Sequence, residues 1–85
     1  MRKEIEKKLV EILKDNIPML EGSTEKILKQ DLKSLQVNSL NFIKIVVTIE
    51  DAFDIEFEDS QFNQEFFGKI ENIVDIITKK LDEKL

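Results

Sequence analysis

The stretch SLQVNSLNFIKIVVTIEDAF, residues Ser34 to Phe53, decides the fold. Placed at 100° per residue, the segment from Ser39 to Phe53 separates into three faces. Phe42, Ile45, Val46, Ile49 and Phe53 cover an arc of about 100°, the width of an ordinary core stripe. Asn41, Lys44, Thr48 and Asp51 form a polar arc opposite. Between the two lie Leu40, Ile43 and Val47, at i, i+3 and i+7, with Glu50 closing the row. This second apolar row exceeds what one core needs. Either the segment 17–38 covers it, or it is left exposed as an interaction patch. Asn38 is a favoured N-cap residue, which puts Ser39 in the first turn, where backbone N–H groups lack intrahelical partners. A phosphate esterified to the Ser39 hydroxyl would sit beside those amides and the positive end of the helix dipole. The plainer alternative is a serine that merely caps the helix.

Working outward, Ile5, Leu9, Ile12 and Leu13 fall on one face of an amphipathic helix from Arg2 to about Asp15. That helix should stop near Asn16, because Pro18 restricts the residue before it and has no N–H to donate. The next 22 residues, Ile17 to Asn38, carry turn formers at Gly22, Ser23 and Thr24 and no sustained period. A loop of this length is functional or contains short helical turns. Ile27, Leu28, Leu32 and Leu35 point to its being pinned to the core. After Phe53, Asp54 to Glu58 reads as a short extended segment. Asp59 or Ser60 can then cap a brief helix holding Phe62, Phe66 and Phe67, ended by Gly68. A last helix, about Ile70 to Leu81, places Ile70, Ile73, Val74, Ile77 and Leu81 on one face. The fold class expected is all-α, a small four-helix bundle with three longer helices, one short helix and a long loop between the first two. Residues 1–85 read as one domain.

Composition narrows the function. With no Cys and no His, thiolate nucleophiles, imidazole bases and the common zinc ligand sets are excluded. Net charge is −5, which argues against a nucleic-acid footprint. No stretch has the length of a membrane span, and Met1 to Glu4 lead into an amphipathic pattern, so a cytoplasmic protein is the default. Charge is concentrated: between Val37 and Gly68 one base, Lys44, faces seven acids, Glu50, Asp51, Asp54, Glu56, Glu58, Asp59 and Glu65. Such a field attracts basic surfaces, or serves only solubility. The acids after Glu50 have no partner base and no Gly-rich cradle, which sets an enzyme last among the function classes.

The segment Leu35-Gln36-Val37-Asn38-Ser39-Leu40 resembles the signature of acyl and peptidyl carrier proteins, commonly Leu-Gly-x-Asp-Ser-Leu. Downstream, IEDAFDIEFED (Ile49 to Asp59) is similar to that family's acidic helix end. SQFNQEFFGKIENIVDII (Ser60 to Ile77) is similar in aromatic placement to the D-alanyl carrier proteins. The resemblance covers nearly the whole chain and implies a bundle of the acyl-carrier type. It further implies that Ser39 is esterified by 4′-phosphopantetheine, whose terminal thiol carries an acyl or aminoacyl group as a thioester between partner enzymes. A chain without cysteine can do thioester chemistry only through such a prosthetic thiol. The implied partners are a phosphopantetheinyl transferase and a loading ligase, adenylation enzyme or synthase with a basic docking surface. Leu40, Ile43, Val47, Glu50, Asp51 and Glu56 match positions that family members present to such partners. A monomer and no membrane insertion are implied as well.

Three departures stand out. Asn38 replaces the usual aspartate, Gln36 replaces a customary glycine, and Asn41 and Lys44 stand where fatty-acid carriers generally keep acids. Asn41 and Lys44 make a poorer electrostatic match to fatty-acid partners and so favour a specialised carrier, for amino acids or a secondary-metabolite acyl chain. Two rival readings are an unmodified interaction module with a degenerate carrier fold, and a small helical domain that dimerises through its second stripe.

Overall fold

A computed structural model describes residues 2–35, 37–58, 60 and 68–84. Four helices are seen among them: α1 (Arg2–Asn16), α2 (Thr24–Leu28), α3 (Ser39–Phe53) and α4 (Ile70–Lys84), with a 3-10 turn at Leu32–Leu35. The three longer helices fall where the apolar periods put them. The short helix seen, α2, lies inside the segment read as loop; the brief helix expected around Phe62, Phe66 and Phe67 lies outside the described residues.

α1 is the central element and packs against α2, α3 and α4. Its core face is Ile5, Leu9, Val10, Ile12 and Leu13, all buried. At its end Asn16 donates from Nδ2 to the Ile12 carbonyl at 2.8 Å, and the Ile17 amide satisfies the Leu13 carbonyl, the first of the acceptors a helix end leaves open, at 2.8 Å. The next residues turn the chain away: the Leu20 amide donates to the Ile17 carbonyl at 3.3 Å across Pro18 and Met19. Met19 takes φ 70° there and is 94% exposed.

Five residues cannot sustain an isolated helix, so α2 depends on its surroundings. Ser23 caps it, its hydroxyl oxygen accepting from the Lys26 amide at 3.3 Å. Ile27 and Leu28 are buried in the common core, together with Leu32 and Val37 further along. The segment is also tied to the start of α4 by an isolated antiparallel bridge between Asp31 and Lys69. There the Leu32 amide donates to the Gly68 carbonyl at 3.0 Å and the Ile70 amide to the Gln30 carbonyl at 2.9 Å. Gly68 needs its lack of a side chain: φ is +56°, and a Cβ would stand 3.2 Å from Asn72 Nδ2.

From α3, Phe42, Ile45, Val46 and Ile49 enter the core, and from α4, Ile70, Ile73, Val74 and Ile77. α4 runs one turn past Leu81, to Lys84, and Lys84 is held there by the end of α3. The core contains no buried polar or charged side chain among the described residues. Ile5, Leu9, Ile27, Val46 and Ile77, brought from separate segments, form one cluster. Burial of this apolar surface is the main term that holds so small a chain folded.

Candidate functional site at the start of α3

Asn38 caps α3 with an extended backbone, φ −78° and ψ 168°, its side-chain oxygen accepting from the Asn41 amide at 2.8 Å. The Phe42 amide opens the helical ladder by donating to the Asn38 carbonyl, also at 2.8 Å. Ser39 follows the cap as the first helical residue, and it is exposed. The amides of Ser39 and Leu40 precede the ladder and point out of the helix end. Gln36, whose backbone would show how the chain turns without the customary glycine, lies outside the described residues. Replacing Asn38 by Ala should cost about 1 kcal/mol, the usual worth of an N-cap, read as a lowered urea midpoint with an unchanged slope. A change below about 0.3 kcal/mol would mean that the cap does not fix this helix start.

The four serines differ in what holds their hydroxyls. Ser23 is a cap acceptor, as above. Ser34 donates to the Asp31 carbonyl at 2.6 Å, and Ser60 is engaged in an interaction of its own. The Ser39 hydroxyl makes no hydrogen bond among the described residues. It is an exposed hydroxyl in the first turn of a helix.

Beside it the second apolar row is left uncovered: Leu40 is 78% exposed, Ile43 50% and Val47 45%. The segment 17–38 therefore packs elsewhere, through Ile27, Leu28 and Leu32. Toward the C-terminus of α3, Asp51 and Glu56 are exposed and Glu50 is half-buried. Glu50 is bound into the turn that follows the helix. Its Oε2 accepts the Phe57 amide at 2.9 Å, while its carbonyl accepts the amides of Asp54 and Ile55. It thereby folds the chain back after the helix, with Asp54 in the left-handed region at φ 54°. Ile55 and Phe57 are buried while Asp54, Glu56 and Glu58 are exposed, the alternation of an extended segment lying on the core.

Two lysines of α4 meet this acidic end and were not legible as site neighbours from sequence spacing. Lys84 Nζ pairs with Asp54 Oδ2 at 2.9 Å and also donates to the Asp54 carbonyl. The hydrogen bond from Lys84 and its charge hold the Asp54 carboxyl below the usual aspartate value. Lys80 Nζ sits 5.5 Å from the Phe57 ring centroid, a cation–π distance. Lys80 and Lys84 stand at i and i+4 on one helix face, and tertiary packing sets which acids that face meets. An open groove of about 790 Å³ lies between these elements, lined by Glu50, Asp51, Glu56, Phe57, Lys80 and Lys84 among others. It is at the far end of α3, about 16 Å along the axis from Ser39 at 1.5 Å per residue.

Residues 7–77 match a protein-family model described as a phosphopantetheine attachment site. The chain belongs to this family of carrier proteins. Its prosthetic group is 4′-phosphopantetheine, held covalently. Among curated relatives, the chain is 32% identical over 84 residues to an acyl carrier protein of Coprothermobacter proteolyticus, covering 98% of both. It is 37% identical over 54 residues to an aminoacyl carrier protein of Agrobacterium fabrum, covering 64% of this chain and 65% of that protein. The aligned part thus spans just under two thirds of the aminoacyl carrier. No solved structure gives a significant match. The helical bundle is of the kind expected for a carrier, and no helix among the described residues is long and apolar enough to cross a membrane.

Proposed function

We propose that this carrier holds an acyl or aminoacyl group on a phosphopantetheine arm esterified to Ser39 and passes it between partner enzymes, without itself catalysing a reaction. The observation that carries the reading is the exposed Ser39 hydroxyl in the first turn of α3, without a hydrogen bond among the described residues and beside amides without helical partners. Those residues fit the group. The amides of Ser39 and Leu40 and the positive end of the helix dipole favour a phosphodiester at this oxygen. When bound, the group supplies the thiol that the cysteine-free chain lacks.

The chain's own residues supply the mounting and the docking face. Asn38 fixes the helix start, so the arm leaves from a rigid element into solvent. Leu40, Ile43 and Val47 offer a small apolar contact, and Asp51 and Glu56 offer charge to basic partner surfaces. Glu50 both contributes to that charge and shapes the turn behind it. Charge steering with a small apolar contact gives fast and weak docking, which suits a shuttle. The partners are a phosphopantetheinyl transferase and a loading ligase, adenylation enzyme or synthase, meeting a cytoplasmic monomer. The departures Asn38, Asn41 and Lys44 support a specialised pathway over the fatty-acid one, as does the aminoacyl carrier among the relatives.

The test is incubation with coenzyme A and a phosphopantetheinyl transferase, read by intact mass. A gain of one phosphopantetheine is expected. An unchanged mass with a transferase active on another carrier would leave an unmodified interaction module as the better description.

A further inference from the structure

At 100° per residue, Leu40, Lys44, Val47 and Asp51 fall within an arc of about 60°, on the side of α3 away from Phe42, Ile45, Val46 and Ile49. All four are exposed. Lys44 thus borders the uncovered apolar row on its polar side, one turn beyond Leu40 and about 7.5 Å along the axis from Ser39. The positions three and four residues away are Leu40, Asn41, Val47 and Thr48, so no carboxylate of α3 can neutralise it. Lys44 makes no ion pair among the described residues. The acids lie further on, Asp51 about 18 Å from Ser39 and Glu56 beyond the helix. Glu50 and Asp51 stand in the last turn, with no base of α3 beside them. A negative charge there opposes the helix dipole; Glu50 is accounted for by its bond to the Phe57 amide, whereas local helix stability does not explain Asp51.

We infer that the face of α3 is charge-polarised and fits an enzyme acting at Ser39 whose surface carries a carboxylate opposite Lys44, an apolar pocket for Leu40 and Val47, and basic groups opposite Asp51 and Glu56. The inference rests on Ser39 being the attachment residue. Any protein that reaches the Ser39 hydroxyl along this face covers Lys44 with its first contacts. An unpaired ammonium covered by a uniformly basic surface is repelled; covered by a carboxylate it is paired. Lys44 is therefore a specificity-determining residue that rejects partners built for wholly acidic docking helices.

The test compares wild type, Lys44→Ala and Lys44→Glu as substrates for two phosphopantetheinyl transferases. One has a docking face lined by lysine and arginine alone; the other comes from the chain's own host. Initial rates are followed by intact mass at low and at high salt. With the basic-faced enzyme, Lys44→Glu should be modified about tenfold faster at low salt, Lys44→Ala about threefold faster, and both gains should shrink as salt rises. With the host enzyme, Lys44→Glu should be slower than wild type. Equal rates with the basic-faced enzyme, or a gain with both enzymes, would overturn the polarised face while leaving Ser39 as the modified residue. If neither enzyme modifies wild type, the carrier reading fails first and this inference with it.

Discussion

Ser39→Ala is expected to abolish phosphopantetheine attachment, with the initial rate reduced at least about 10³-fold, the scale on which loss of a nucleophile acts. The phosphodiester needs a hydroxyl oxygen in reach of the transferase, and alanine has none. Ser34 cannot take over, because its hydroxyl is committed to the Asp31 carbonyl at 2.6 Å and belongs to a different turn. Ser23 is an acceptor in the cap of α2. The fold should survive the change. Asn38, not Ser39, caps α3, and an exposed first-turn residue replaced by alanine shifts stability by less than about 0.5 kcal/mol. Circular dichroism and the urea midpoint should therefore match wild type while the mass gain disappears. A folded Ser39→Ala protein that still acquires the group would place the site elsewhere.

Leu9→Ala should lower stability by about 3 kcal/mol, within the span of roughly 2–5 kcal/mol for buried leucine truncations. Leu9 is fully buried on the helix that packs against the other three, so the void left behind has walls on several sides and cannot collapse cheaply. A domain of this size holds roughly 5–10 kcal/mol in all. Removing about a third to a half of that drops the urea midpoint by about 2–3 M at a slope near 1 kcal/mol/M. Leu40→Ala is the control, because a leucine 78% exposed should lose less than about 0.5 kcal/mol. A Leu9→Ala loss below about 1 kcal/mol would mean that α1 does not occupy the centre of the packing.

The parts of the fold that the sequence announces are those governed by local rules. The bounds of α3 follow from a cap residue at Asn38 and an apolar period that ends at Phe53. The core faces of α1 and α4 follow from the same spacing, with Val10 joining the residues that the strict period selects. What stays hidden depends on contacts far apart in the chain. The five residues of α2 carry too few turns for a period to show, and burial of Ile27 and Leu28 holds them in place. The hydrogen bond from the Phe57 amide to Glu50 spans seven residues and the Lys84 to Asp54 pair spans thirty, so no window of helical spacing contains either.

The second stripe of α3 was ambiguous in the sequence for the same reason. Whether a loop covers Leu40, Ile43 and Val47 depends on where that loop packs. The bridge between Asp31 and Lys69 settles the matter by drawing the segment toward α4. The site is similarly divided. Ser39 as a candidate is legible from a cap and a motif; the shaping of the acidic end by Glu50, Lys80 and Lys84 is not.

The most direct measurement locates the modification. Trypsin cutting after Lys33 and Lys44 releases the peptide Ser34 to Lys44, which contains both Ser34 and Ser39. Fragmentation of that peptide from modified protein should retain the phosphopantetheine on fragments containing Ser39 and show Ser34 bare. An adduct on Ser34, or a peptide without any adduct while the intact protein carries one, would contradict the account.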